Sequence, residues 1–270
     1  MLIAQITDTH VTMPGALVYG IVDTAKSLGQ AVTALNRLSP LPDVTVITGD
    51  LVERGEPEEY DHLCALLAPL QMPLLVIPGN HDAREPLRKA FIADGYLPRE
   101  GFLSYAVEDH PMRIVALDTL VPGEVGGALC AERLLWVEGV LAAAADRPTL
   151  VLMHHPPFVT GVGRMDQKGL GGSASFAEIV RRHPNIERIL CGHLHRPIDS
   201  RFAGTIAGTA PSTAHQIVLD LRPGAPLSFA FEPPGYQLHY WREGSSLVTH
   251  TVAIGDWPGP YFFHKETPTT

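Results

Sequence analysis

The sequence predicts an α/β fold in which layers of helix cover a mixed β-sheet. Three observations carry this. Short apolar runs of strand length alternate with longer stretches whose apolar residues recur at helical spacing. Beyond about residue 200 the alternation gives way to strand-like runs alone. The chain also holds 25 glycines and 24 prolines, many between the runs, which suits a loop-rich α/β chain better than a helical bundle.

The elements follow in order. "LIAQI" (2–6) reads as a buried strand, followed by a Gly- and Pro-containing loop at 12–23. In "AKSLGQAVTALNRL" (25–38), Leu28, Ala31, Val32, Leu35 and Leu38 share a helical face, with Asp23 or Thr24 as cap. "VTVIT" (44–48) is a strand, Pro57 fits the first turn of a helix running to about Leu67, and "LLVI" (74–77) is the next strand. A second series comprises strands at 103–107 and 113–117, a helix at 131–145, a strand at 149–153, a helix at 173–182 and a strand at 186–190. "QIVLDL", "LSFAF", "YQLHYW" and "SLVTHTVA" supply the β-rich end. The expected division is a core of residues 1–200 and a β-rich segment, 201–270, completing the second sheet and carrying an aromatic tail. The segment and tail form a candidate dimerisation region, so a homodimer or higher homo-oligomer is expected.

Composition narrows the classes of function. Of 270 residues, 45% are hydrophobic and 18% charged, ordinary for a globular protein. The net charge of −9, with no Lys/Arg run, argues against a nucleic-acid-binding surface. An anionic substrate would therefore need a local positive site, such as bound cations provide. "MLIAQITDTH" has no basic leader region, and no apolar run is long enough to span a membrane. Cys64, Cys130 and Cys191 are widely spaced in apolar surroundings, which suggests reduced, buried thiols and a cytoplasmic protein.

The chemistry gathers where strands stop. "DTH" gives Asp8 and His10, "GD" gives Asp50, and "GNHD" gives Asn80, His81 and Asp82. "HH" gives His154 and His155, and "GHLH" gives His193 and His195. Alone, each has an ordinary reading: Asp8 and Asp50 as caps, a lone His as a satisfied structural residue. Five strands delivering O and N donors to one sheet edge, where α/β folds bind ligands, outweigh that reading. In D-x-H and H-x-H, positions i and i+2 point the same way at a strand end. The mixture of carboxylate and imidazole suits Mn, Fe, Zn or Co better than Ca or Mg. The donors exceed what one tetrahedral ion needs, whereas two ions ~4 Å apart sharing a carboxylate use them all.

These motifs, "DTH" (8–10), "GDLVERG" (49–55), "GNHD" (79–82), "HHPP" (154–157) and "GHLH" (192–195), resemble those of the calcineurin-like metallophosphoesterases, in the same order. The segments "GIVDTAKSLGQAVTALNRL" and "GDLVERGEPEEYDHLCALLAPL" look like the bacterial class III cyclic-nucleotide phosphodiesterases and the related glycerophosphodiesterases. The resemblance implies a four-layer αββα sandwich. It implies that Asp8, His10, Asp50 and His195 hold one metal, and that Asp50, Asn80, His154 and His193 hold the second, with Asp50 bridging. His154 is preferred to His155 because the family's ligand is followed by one residue and then Pro. His155 is left between a supporting imidazole and a substrate contact.

The two ions would lower the pKa of bound water toward about 7, supplying hydroxide for in-line attack on phosphorus. With Asp8 and Asp50 bound, formal counting leaves roughly +2 at the site. Asn80 adds a neutral oxygen. His81 is expected to face substrate and to stabilise or protonate the leaving alkoxide. Asp82 either orients His81 or closes the turn. Glu53 stands where phosphoprotein phosphatases usually have Asp, which disfavours a phosphoprotein substrate. Arg54 is left between substrate phosphate and a surface ion pair, and His215 between substrate and solvent.

The first functional expectation is a phosphodiesterase acting on a 3′,5′-cyclic nucleotide such as cAMP. The alternative is a glycerophosphodiester or other small diester. A catalytically silent binding scaffold is the third reading, weakened because such scaffolds typically lose ligands or the catalytic His and this chain retains every one.

Overall fold

The fold is known from a computed structural model, which describes residues 1–263; the last seven residues of the expected tail lie outside the described residues. In chain order the elements are β1 (Leu2–Ile6), α1 (Thr24–Asn36), β2 (Val44–Ile47), α2 (Pro57–Leu67), β3 (Leu74–Val76), α3 (Arg84–Phe91), β4 (Tyr105–Val107) and β5 (Arg113–Ala116). Then follow β6 (Gly127–Ala128), α4 (Ala131–Ala142), β7 (Thr149–Leu152), α5 (Gly163–Asp166), β8 (Leu170–Gly171), α6 (Ser173–Arg182) and β9 (Ile186–Cys191). The chain closes with β10 (Ile198–Phe202), β11 (Thr205–Thr209), β12 (Gln216–Ile217), β13 (Phe229–Ala230), β14 (Gly235–Tyr240) and β15 (Val248–Ala253).

Local chemistry starts the helices. The Asp23 side chain accepts from Lys26 N at 2.9 Å and caps α1. Glu56 and Glu59 form a reciprocal capping box on α2 with Pro57 in its first turn. α3 is not expected from apolar periodicity; its short, half-charged sequence REPLRKAF buries Leu87, Arg88 and Phe91.

Eleven of the strands form two mixed sheets, ordered β15-β14-β1-β2-β3 and β10-β11-β9-β7-β5-β4, while β12 pairs with β13 and β6 with β8. Their central strands are parallel, with antiparallel strands at β14–β15, β10 and β4. In the second sheet the residues alternate. Ile114, Ala116, Leu150 and Leu152 join the cluster shared with the first sheet and α1–α3, whereas Val115 and Val151 join the cluster under α4 and α6. The order is therefore helices, sheet, sheet, helices, the expected αββα sandwich.

The C-terminal expectation needs correcting. Only β10 and β11 extend the second sheet. β14 instead pairs antiparallel with β1, Leu2 opposite Tyr240, and β15 pairs with β14, so most of the regular structure beyond residue 230 extends the first sheet. Strand runs alone do not say which edge they join. Gln5 bridges the sheets, its Nε2 donating to Thr48 Oγ1 and the Cys191 carbonyl, both at 2.9 Å. The thiols are not all buried either: Cys191 is, Cys64 is partly, and Cys130 is exposed where α4 begins.

Candidate metal centre

The carboxyl ends of β1, β2, β3, β7 and β9 meet along one edge of the paired sheets. Asp8, His10 and His195 bring ligand atoms within 4.8 Å of one another; so do Asp8, Asp50 and His154, and so do His154, His155 and His193. All of these are buried. Asn80 Oδ1 lies 3.2 Å from His154 Nε2. The sequence-derived donors are thus brought together as one constellation.

The backbone is bent to aim them. Seven described non-glycine residues have positive φ: Asp8, His10, Tyr19, Asp50, His193, His195 and Ala203. Five of these are donors. Left-handed backbone costs an L-residue roughly 1–2 kcal/mol, and such strain concentrates at functional sites. Close packing of backbone completes the arrangement. Gly49, at φ +95°, has no room for a Cβ beside the His154 ring, and a Cβ on Gly79 would collide with Asp50. These two glycines are steric requirements of the centre.

Three rings have their tautomers set by acceptor-only partners. Nδ1–H of His10 donates to the Glu53 carboxylate at 2.8 Å, that of His154 to the Thr48 carbonyl at 2.8 Å, and that of His195 to the His215 carbonyl at 3.0 Å. In each neutral ring Nε2 then carries the lone pair. These atoms converge: His10 Nε2 is 3.2 Å from His195 Nε2, His195 Nε2 is 3.4 Å from Asp8, and His154 Nε2 is 3.3 Å from Asp50. His193 Nε2 is buried with no hydrogen-bond partner. Converging lone pairs and an orphaned buried nitrogen fit divalent cations.

The charges agree. Burial pushes Asp8 up to about 6, against the pull of His154. Burial also opposes charge on Asp50, yet His154, His81 and His10 hold its carboxyl well below the usual range. Burial disfavours His154 cation, but Asp50 raises it to about 9. Burial, then neighbouring imidazoles, push His193 and His195 well below the usual range, so both are neutral donors. Asp50 and His154 thus favour each other's charged forms, and a cation bound there would replace the proton on His154 Nε2.

His81 reaches the centre differently. Its backbone N–H donates to Asp50 at 2.8 Å and its Nδ1–H to the Glu53 carbonyl at 2.8 Å, leaving Nε2 for the cavity that it lines. Asp82 does not orient it. The Asp82 carboxylate accepts from Leu51 N, Gly79 N and Tyr60 Oη, so it closes the turn under the centre. Orientation falls to Glu53, singled out in the sequence only as a departure from a motif. Its position three residues after Asp50, on the same loop, was the available signal.

Of the two readings left open for His155, the geometry favours the supporting imidazole. It is fully buried and absent from the cavity wall; Nε2–H donates to the Val125 carbonyl at 3.1 Å and Nδ1 accepts from Thr119 Oγ1 at 2.7 Å. Both nitrogens are thus engaged by protein groups, as a supporting imidazole requires. Arg54 is exposed and also absent from the wall. His215 does line the cavity, and its buried Nδ1 has no partner. The cavity, about 410 Å³, is walled by His10, Asp50, Asn80, His81, His193, His195 and His215 together with Tyr19, Val125, Met165, Ile217, Leu227, Ser228 and Phe229.

The family model for calcineurin-like phosphoesterases matches residues 1–197. A protein of Arcobacter nitrofigilis named probable glycerophosphodiester phosphodiesterase GpdQ is 39% identical over 267 residues, covering 98% of both chains. One of Rhodopseudomonas palustris, named probable cyclic nucleotide phosphodiesterase, is 37% identical over 262 residues, covering 95% of this chain and 93% of its own. A dimetal phosphatase from Danio rerio shares the fold, with a TM-score of 0.64 at 16% identity, covering 94% of this chain and 99% of its own.

Proposed function

The chain belongs to the calcineurin-like phosphoesterase family and is a metal-dependent phosphodiester hydrolase, and from that premise we propose that its substrate is a small phosphodiester, a 3′,5′-cyclic nucleotide first. The observation that carries this is the composition of the cavity over the donors. Among the described residues no Lys or Arg lines it, and beyond the centre its wall is largely apolar. A singly charged diester needs no more positive charge than the centre supplies. A monoester dianion ordinarily meets Arg or Lys as well.

Asp8, His10, Asp50 and His195 would hold one divalent ion, and Asp50, Asn80, His154 and His193 the other. Bound there, the ions supply Lewis-acid charge at the phosphoryl oxygens and bring the pKa of water near neutrality. Glu53 Oε2 and the Thr48 and His215 carbonyls keep the ring protons of His10, His154 and His195 on Nδ1. The Glu53 carbonyl keeps the proton on His81 Nδ1, so a proton given to the departing alkoxide would come from Nε2 of the doubly protonated ring, which is left neutral with Nδ1–H. His215, on the same wall beside His195, is a further polar group near the phosphoryl position.

The second reading, a glycerophosphodiester, is favoured by the full-length similarity to the Arcobacter nitrofigilis protein. Metal-loaded protein assayed against cAMP, 2′,3′-cyclic nucleotides and glycerophosphodiesters decides between them. Highest kcat/KM on a cyclic nucleotide supports the first reading, and on a glycerophosphodiester the second. A silent scaffold would turn over none. A cytoplasmic homodimer is part of this reading, supported by the three unpaired thiols and by the exposed aromatics Tyr240, Trp257, Tyr261, Phe262 and Phe263. No helix among the described residues is long and apolar enough to cross a membrane.

A further inference from the structure

We propose that Tyr19 and Phe229 form a stacking wall selecting diesters whose retained arm is a planar aromatic group, a nucleobase being the biological example; this rests on the phosphodiesterase reading above. The two rings stack with centroids 5.0 Å apart and planes 28° apart, and both line the cavity. His215 meets both edge-on, at 5.8 Å and 5.1 Å, and lies 4.7 Å from the His195 ring. The wall therefore abuts the donors. In this arrangement His81 serves the departing oxygen and the wall serves the arm that stays on phosphorus.

Tyr19 is held there at a cost. Val18 and Val22 exchange backbone hydrogen bonds at 3.0 Å and 2.9 Å around a turn in which Tyr19 has φ +52° and Gly20 +73°. Both central residues of such a turn are left-handed, and glycine or asparagine is the ordinary choice. A bulky ring at that position is an outlier. Nor is it repaid by burial, because Tyr19 is 60% exposed. A strained, exposed aromatic poised over a cavity is retained for what it contacts there. Phe229, by contrast, is anchored against Val18, Val22 and Ala214.

The rest of the wall defines the arm. Met165, Ile217 and Leu227 are apolar, and Ser228 and the Tyr19 hydroxyl are the few uncharged hydrogen-bonding groups away from the centre. A polyol arm finds few partners. A planar ring finds faces to lie on, with little edge recognition, so one base is accepted much like another.

The test compares metal-loaded wild type, Tyr19→Gly and Tyr19→Phe on phenyl p-nitrophenyl phosphate and methyl p-nitrophenyl phosphate. The leaving group is the same, and only the retained arm changes. Tyr19→Gly should lower kcat/KM roughly tenfold for the phenyl diester and leave the methyl diester nearly unchanged. Tyr19→Phe should keep the phenyl preference. Tyr19→Gly should also melt no lower than wild type, because glycine relieves the left-handed strain. An equal loss on both diesters, or no loss on the phenyl diester, would overturn the wall while leaving the diesterase reading intact. Failure of wild type to hydrolyse either diester would overturn the diesterase reading and the wall with it.

Discussion

The Glu53 carboxylate accepts a hydrogen bond from Nδ1 of His10 at 2.8 Å, while the carbonyl of the same residue accepts from Nδ1 of His81 at 2.8 Å. One residue thus sets the ring orientation of a candidate metal ligand and of a neighbouring residue of the cavity wall. Losing such an outer partner typically weakens a metal site about 10–100-fold. Glu53→Ala should show that loss in a chelator-competition titration, alongside reduced turnover. Unchanged metal affinity would remove Glu53 from the centre.

Asp50 is the donor proposed to be shared. Asp50→Ala should leave metal content, measured by atomic absorption after desalting, well below two per chain, and turnover close to nil. A variant holding both ions with near-native activity would sink the bridging role.

His81→Ala should keep both ions and lower turnover by roughly 10²–10⁴-fold on diesters with poor leaving groups. Nitrophenolate departs with little need of a proton, so diesters carrying it should lose less. Equal losses on both kinds of substrate would argue against proton donation by Nε2.

His239 predicts a pH effect on folding away from the centre. It is fully buried, bonded to Gln5 Oε1 at 3.0 Å and Thr249 Oγ1 at 2.9 Å, and burial, then Arg188, lower it to about 3. Below its ordinary value the unfolded chain takes up a proton that the folded chain refuses, so stability is present at neutral pH and falls as pH drops from about 6.5 toward 3, by on the order of 1.4 kcal/mol per unit. In urea unfolding of metal-free protein, His239→Gln should lose less stability than wild type between pH 6.5 and 4.5. An identical slope would refute the assignment.

The C-terminal strands make the assembly prediction. β15 is the edge of the first sheet and largely exposed, and Tyr240, Val248, Trp257, Tyr261, Phe262 and Phe263 are exposed beside or beyond it. An uncovered edge with apolar neighbours invites a partner strand. Light scattering should find the intact chain dimeric at micromolar concentration and a chain ending at Ala253 weakened in association. A monomeric intact chain would refute the contact.

Donor chemistry was legible in the sequence because donors sit at strand ends, and strand ends are marked by apolar runs that stop. Asp8, His10, Asp50, Asn80, His154, His193 and His195 could each be read that way. What orients them was not, because Glu53 and the carbonyls of Thr48 and His215 act through contacts between distant segments that carry no local pattern. Asp82 shows the same limit: adjacency to His81 suggested a partner, whereas its bonds run to Leu51, Gly79 and Tyr60. Sheet membership failed for a related reason. β14 finds β1 across the whole length of the chain, and alternation along a strand does not name its neighbour.

The division of donors between the two sheets gives the centre a mechanical meaning. Asp8, His10, Asp50 and Asn80 follow strands of the first sheet, and His154, His193 and His195 follow strands of the second. Ions held by both sets act as rivets through the seam of the sandwich. Their affinity is then also a clamping force between halves that otherwise meet through side-chain packing and a few bonds such as those of Gln5. Loading and rigidity become one property, and a chelator should make the halves breathe apart before either one melts.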